Sequence, residues 1–179
     1  MNAHASPIVV VPLGSEPSVA ARLTVGIAAA FGRACQIAET PFDAVVAFDP
    51  ARGQYRSTTL LQGLASLYPW AHRILGVTPV DLFVPVLTFV YGEAQVGGRC
   101  AVVSSFRLRE ECYGLPRDGE LTMERLLKEA VHELGHTFGL RHCDDWTCVM
   151  HSTHTVERLD LKTAVFCERC RTLCNRESV

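Results

Sequence analysis

The chain of 179 residues predicts an α/β fold, on three observations: two successive alternations of a short apolar run with a helical stretch, and one longer stretch whose apolar residues recur at helical spacing. Ile8-Val9-Val10-Val11, before Pro12, is an unbroken β-branched run and reads as a buried strand. The segment from about Pro17 to Arg33, rich in Ala, Val and Leu, reads as the helix that follows. Ala44-Val45-Val46-Ala47-Phe48 reads as a second strand ending at Asp49-Pro50. Gly53 then marks a turn, and Ser57 is placed to cap a helix running toward His72. Asp81 to Tyr91, dense in Val, Leu and Phe, reads as a strand made irregular or edge-facing by Pro85. Gly97-Gly98 marks a turn and Cys100 to Phe106 reads as the strand after it, so that residues 81 to 106 form a hairpin-like pair, with Arg107 to Gly119 as connecting loop. From Leu121 to Leu140, the residues Leu127, Val131, Leu134 and Phe138 share one helical stripe, with Thr122 as the N-cap.

Length and composition bound the class. The chain is long enough for one well-formed core and too short for two average domains. Hydrophobic content of 48% and charged content of 20% are those of a soluble globular protein, and a net charge of −2 gives no global attraction to nucleic acid. The apolar stretches Val19 to Phe31 and Leu82 to Tyr91 fall short of the roughly 20 residues that cross a bilayer, so no membrane span is expected. Met1 to Leu13 lacks a basic segment ahead of its apolar run and reads as a first strand rather than a secretory signal, which makes the expected location cytoplasmic.

The last part of the long helix carries chemistry. His132-Glu133-Leu134-Gly135-His136-Thr137-Phe138-Gly139-Leu140-Arg141-His142 fits HExxHxxGxxH at every specified position, which chance would supply in roughly one such chain per twenty thousand. Residues four apart lie on one helix face, so His132 and His136 can offer two imidazoles to one metal ion, with Glu133 beside it. Gly139 tolerates the positive φ that ends a helix sharply, and His142 can then turn back as third ligand. Three protein ligands leave a fourth position for water, whose pKa a zinc ion lowers to about 7; this describes a catalytic zinc. Lys128 and Glu129, one turn earlier, read as solvated charges, although Glu129 is able to accept a hydrogen bond from an imidazole.

Five of the eight cysteines follow residue 142. Cys143 and Cys148, then Cys167 and Cys170, form two closely spaced pairs able to close a tetrahedron around a structural zinc. Cys174 competes with Cys170 as the fourth ligand; Cys170 is preferred because the CxxC spacing bends naturally around one metal. Disulfides remain the alternative for an even number of cysteines. The isolated Cys35, Cys100 and Cys112 read as small core residues.

Together, the segment His132 to His142 and the following Cys143, Cys148, Met150, Cys167 and Cys170 resemble the archaemetzincins, a family of metzincin-type zinc peptidases. The match is specific over residues 128 to 170 and plausible from about 80; before that only the order of strands and helices is compatible. The resemblance implies a metzincin-like zincin fold: a twisted, mostly parallel mixed sheet with helices above an active-site cleft and a small zinc-stapled C-terminal lobe below it. It implies one metallopeptidase domain over 1–179, with an upper subdomain of about 1–139 and a C-terminal subdomain of about 140–179. It also implies that Met150, by sequence alone an ordinary core methionine, lies in a tight turn beneath the catalytic zinc. Two zinc ions per chain are expected, one catalytic and one structural, in a monomer acting on a peptide or protein substrate.

The expected reaction is peptide-bond hydrolysis, with a zinc-bound water as nucleophile and Glu133 as general base; the family resemblance suggests aminopeptidase-like action. The alternative is a catalytically silent zinc protein that binds peptides or a regulatory partner at the same site, with His151 or His154 filling the open position, though both read more simply as surface histidines. The strand Cys100 to Phe106 reads as a plain sheet strand, with pairing to an extended peptide as its alternative.

Overall fold

The computed structural model describes residues 7–39 and 42–176. Residues 1–6 of the Met1 to Leu13 reading lie outside that range. In chain order the elements are β1 (Ile8–Pro12), α1 (Pro17–Phe31), β2 (Cys35–Ile37), β3 (Phe48–Asp49), β4 (Gln54–Arg56), α2 (Ser57–Leu67), β5 (Arg73–Thr78), β6 (Leu82–Phe83), β7 (Gly92–Ala94), β8 (Cys100–Ser104), α3 (Gly119–Thr137), α4 (Val156–Leu161) and α5 (Glu168–Arg176). Five strands form the main sheet in the order β2-β1-β5-β8-β7, parallel except at the β7–β8 edge; β3, β4 and β6 form a smaller one. The structure is therefore the α/β, mostly parallel mixed-sheet fold of the archaemetzincin expectation.

Side-chain alternation along the strands builds two cores. Ile8 and Val10 of β1, Leu75 and Val77 of β5, and Ala101 and Val103 of β8 point to the face covered by α1 and α3. Val9, Val11, Ile74 and Val102, one residue out of phase, point to the face covered by α2. No helix among the described residues is long and apolar enough to cross a membrane.

Several elements differ from the sequence expectation. Ala44–Ala47 is a 3-10 turn, not a strand: the Asp43 carboxylate accepts from the Val45 N–H at 2.9 Å, and Val45 and Val46 are exposed, so the apolar run is not a buried one. Only Phe48–Asp49 of that segment is extended. Within Asp81 to Tyr91 the strand stops at Phe83; the chain turns at Pro85, where Leu87 N–H donates to the Val84 carbonyl, and Val86 is 89% exposed. The hairpin lies instead between β7 and β8, across the Gly97-Gly98 turn. The central strand β5 escapes a reading by pattern because Arg73 and Gly76 interrupt its apolar run. Ser57 is the first residue of α2 rather than its cap, and its hydroxyl bonds the Phe83 carbonyl and the Glu93 carboxylate. Thr58 also donates to Glu93, at 2.9 Å, so a carboxylate sits at the positive end of α2 and fixes β7 there.

The long helix begins earlier than Thr122. Asp118 is the N-cap, its carboxylate accepting from the Leu121 N–H at 2.9 Å, while the Thr122 hydroxyl donates to the Asp118 carbonyl. The helix is anchored by a buried guanidinium: Arg125 donates to Glu110 at 2.5 Å and to both oxygens of Asp160 at 2.7 and 2.6 Å, joining α3 to α4. Arg125→Ala leaves two carboxylates without their cation and is expected to cost about 3–5 kcal/mol, read as a lowered urea midpoint.

Candidate metal centre

His132 and His136 lie one turn apart near the C-terminal end of α3. Each is aimed by a backbone carbonyl: His132 Nδ1 is 2.8 Å from the Val149 oxygen and His136 Nδ1 is 2.8 Å from the Leu140 oxygen. A carbonyl only accepts, so the proton of each ring resides on Nδ1 and each Nε2 presents a lone pair. Those two Nε2 atoms face each other at 3.1 Å. Burial drives His132 well below the ordinary imidazole range and lowers His136 as well, so both rings are neutral. Two converging lone pairs repel unless a cation lies between them, and a tetrahedral zinc with bonds of 2.0–2.1 Å requires an N–N edge of about 3.3 Å.

The third imidazole arrives by the predicted turn. Gly139 has φ of 76°, its N–H donates to the His136 carbonyl at 2.9 Å, and the chain reverses so that the ligating nitrogens of His132, His136 and His142 lie within 4.8 Å of one another. His151 and His154 are not members of this trio. His151 Nδ1 instead contacts the Cys143 carbonyl at 3.0 Å, while His154 lines the cavity in front of the trio. Glu133 and Glu129 line that same cavity. A Cβ on Gly92 of β7 would stand 2.6 Å from Glu133 Cγ, so only glycine there leaves room for the carboxylate arm. Burial raises the Glu133 carboxyl well above the usual range; Glu129 and Glu93 add to this and Lys162 opposes it.

Lys128 and Glu129 are buried, contrary to the solvated reading. Lys128 pairs with Glu124 at 2.7 Å, and Glu129, 4% exposed, pairs with Lys162, itself 2% exposed, at 3.1 Å. Nothing in the local sequence marks Lys162 as internal. Its ammonium also donates to the His151 carbonyl, tying α3 to the loop after Met150. The acceptors that orient the histidines are the Val149 and Leu140 carbonyls rather than Glu129, a role that any residue type can fill and that spacing therefore does not reveal.

Met150 is fully buried against the helix: a Cβ on Gly135 would meet its Sδ at 2.5 Å. The Met150 carbonyl accepts from the Cys143 N–H at 3.0 Å, closing the segment from His142 to Met150 into a loop. At the base of that loop the Sγ atoms of Cys143, Cys148, Cys167 and Cys170 gather within 4.8 Å of one another, without Cys174. All eight cysteines are free, in place of the disulfide alternative. Cys143 and Cys167 stand 3.8 Å apart, the edge of about 3.8 Å that zinc–sulfur bonds of 2.3 Å produce in a tetrahedron. Both donor sets thus fit zinc in chemistry and spacing. Of the isolated thiols only Cys100 is a buried core residue; Cys35 is half-buried and Cys112 exposed. Strand β8 is an interior strand, flanked by β5 and β7, so its edge is not open to a peptide; β7 forms the sheet edge.

The model of peptidase family M54 matches residues 47–176. The archaemetzincin of Methanopyrus kandleri is 45% identical over 130 residues, covering 73% of this chain and 71% of its own, and that of Pyrococcus furiosus is 40% identical over 172 residues, covering 91% and 89%. Among solved structures, archaemetzincin from Methanopyrus kandleri matches with a TM-score of 0.85 at 36% identity over 99% of this chain and 97% of its own. A zinc-dependent peptidase from Methanocorpusculum labreanum matches with 0.84 at 29% identity over 94% and 100%. The sheet, the donor sets and these likenesses define a zinc metallopeptidase. The chain belongs to peptidase family M54, the archaemetzincins.

Because Gly135 and Met150 touch without a side chain between them, Gly135→Ala is expected to displace Met150 and to cost about 1–3 kcal/mol of stability. Urea unfolding together with zinc analysis of the purified variant measures both effects.

Proposed function

We propose that this protein hydrolyses peptide bonds at the histidine trio, with Glu133 as general base. The observation that carries the reading is the pair of Nε2 lone pairs converging at 3.1 Å, with His132, His142 and the buried Glu133 lining one cavity. His132, His136 and His142 hold the catalytic zinc, and Cys143, Cys148, Cys167 and Cys170 hold a second, structural zinc, giving two ions per chain. A zinc ion at the histidines supplies Lewis acidity, for a carbonyl and for water. Glu133 takes the proton of the attacking water and delivers it to the leaving amine; its buried position, which favours the protonated form once a proton arrives, suits the second half of that task. The Lys162 cation favours the ionised form of the Glu133 carboxylate, and the β7 backbone at Gly92 lies close against its side-chain arm. The working unit is one metallopeptidase domain over 1–179, its upper subdomain of about 1–139 carrying the sheet and α1 to α3, and its small C-terminal subdomain of about 140–179 carrying α4, α5 and the cysteine staple.

Glu133→Gln is expected to retain zinc while lowering peptide hydrolysis by roughly 10²–10⁴-fold. Undiminished cleavage by that variant in a peptide-library digest, with contaminants excluded, would refute the assignment. Aminopeptidase-like action is distinguished in the same digest by comparing free with acetylated N-termini: exclusive cleavage behind the first residue of free peptides is its signature.

The two metal sites are mechanically linked in this reading. Val149, next to Cys148, orients His132, and the Cys143 to Met150 bond closes the loop between the ligand sets. Cys148→Ser is therefore expected to release the structural zinc and to weaken the histidine site by about 10–100-fold. Metal titration that finds the histidine site at full affinity in this variant excludes the linkage.

A further inference from the structure

A second cavity, of about 420 Å³, adjoins the histidine trio on its other side. Its walls are the stretch Phe138 to Cys143 and one side of α5, and His142 is common to this cavity and to the one holding Glu133. Three guanidinium groups line it, those of Arg141, Arg169 and Arg176, and among the described residues no carboxylate does. All three arginines are exposed, and none makes an ion pair or hydrogen bond with a described residue. Three other arginines form ion pairs, Arg22 with Glu120, Arg107 with Asp81, and Arg125 with Glu110 and Asp160, while Arg52, Arg99, Arg109 and Arg171 donate to backbone carbonyls.

Three cations that have no partner among the described residues repel each other in one cleft, in a protein that carries more acidic than basic residues. The four thiolates behind the wall offset part of that charge when they hold zinc, since such a cluster retains a net negative charge. Among the described residues, however, none of these three guanidiniums donates to Cys143, Cys148, Cys167 or Cys170, so the forked N–H groups stay available. A guanidinium matches a carboxylate with two parallel hydrogen bonds. Because His142 lines both cavities, a peptide in the histidine cavity that passes His142 enters this cleft.

We propose that the cleft of Arg141, Arg169 and Arg176 is a substrate subsite that binds a peptide carboxylate close to the scissile bond. The proposal rests on the peptidase reading above and adds a substrate class: peptides carrying an acidic side chain at one fixed position, or ending in a free C-terminal carboxylate there.

The test uses full-length, zinc-loaded Glu133→Gln protein and fluorescein-labelled peptides that differ only in Glu against Gln at successive positions, or in a C-terminal acid against its amide. Anisotropy titration is expected to give a Kd about tenfold lower for the acidic member at one position, the worth of one charge-assisted hydrogen bond. If the Glu/Gln pair carries the difference, the source is a side chain; if the acid/amide pair carries it, the source is the chain end. Adding Arg141→Gln, Arg169→Gln and Arg176→Gln together should bring the ratio to about one. Arg169→Lys, which keeps the charge and loses the fork, should leave an intermediate ratio that falls with added salt. Equal affinities in every pair, or a ratio that survives the triple substitution in protein with unchanged zinc content, overturns the subsite. Failure of the peptidase reading is separate and visible in the parent protein, as an absence of cleavage of peptides that the Glu133→Gln protein binds.

Discussion

Everything in the site depends on two imidazoles whose outer nitrogens are tied to backbone carbonyls. Because Val149 and Leu140 accept from Nδ1, the Nε2 atoms of His132 and His136 have no choice of tautomer and turn their lone pairs toward one point. Both carbonyls belong to the chain after α3. The metal geometry is therefore set by where the segment 138–150 runs, as much as by the helix that bears the histidines.

That segment is held at several independent points. Gly139 supplies the left-handed turn, the Cys143 N–H closes onto the Met150 carbonyl, Lys162 bonds the His151 carbonyl from a buried position, and the four-cysteine cluster gathers its two ends with α5. Met150 packs beneath the helix where Gly135 has no side chain to stop it. Charged groups buried along α3 serve the same purpose: Arg125 fixes the helix to α4, and Glu129 fixes it to Lys162. Buried ion pairs of this kind contribute little net stability against apolar packing, but each is costly to break, so they enforce one arrangement.

The same architecture leaves His142 as a shared wall between an acid-lined cavity and an arginine-lined one. The protein's modest net charge hides this polarity, since carboxylates and guanidiniums are sorted by position rather than by number. The staple that places His142 also brings α5, with Arg169 and Arg176, up to the metal centre.

Much of the site was legible in the sequence because spacing is a local property. Histidines four apart share a helix face whatever surrounds them, glycine permits the turn at 139, and two short cysteine pairs converge on one tetrahedron; the α/β class followed from apolar runs of strand and helix length. Elements whose state depends on distant neighbours were not legible. The Ala44–Ala47 run has strand composition but lies exposed, the central strand β5 carries an arginine and a glycine that its neighbours accommodate, and Lys128, Glu129 and Lys162 look like surface charges until their partners are brought in. The sequence by itself thus determined which side chains are able to serve as metal ligands and the chemistry open to them. Only the tertiary structure decided which carbonyls aim the rings, which charges are buried and which arginines gather beside His142, because those are contacts between residues far apart in the chain, and burial is a property of the packed whole.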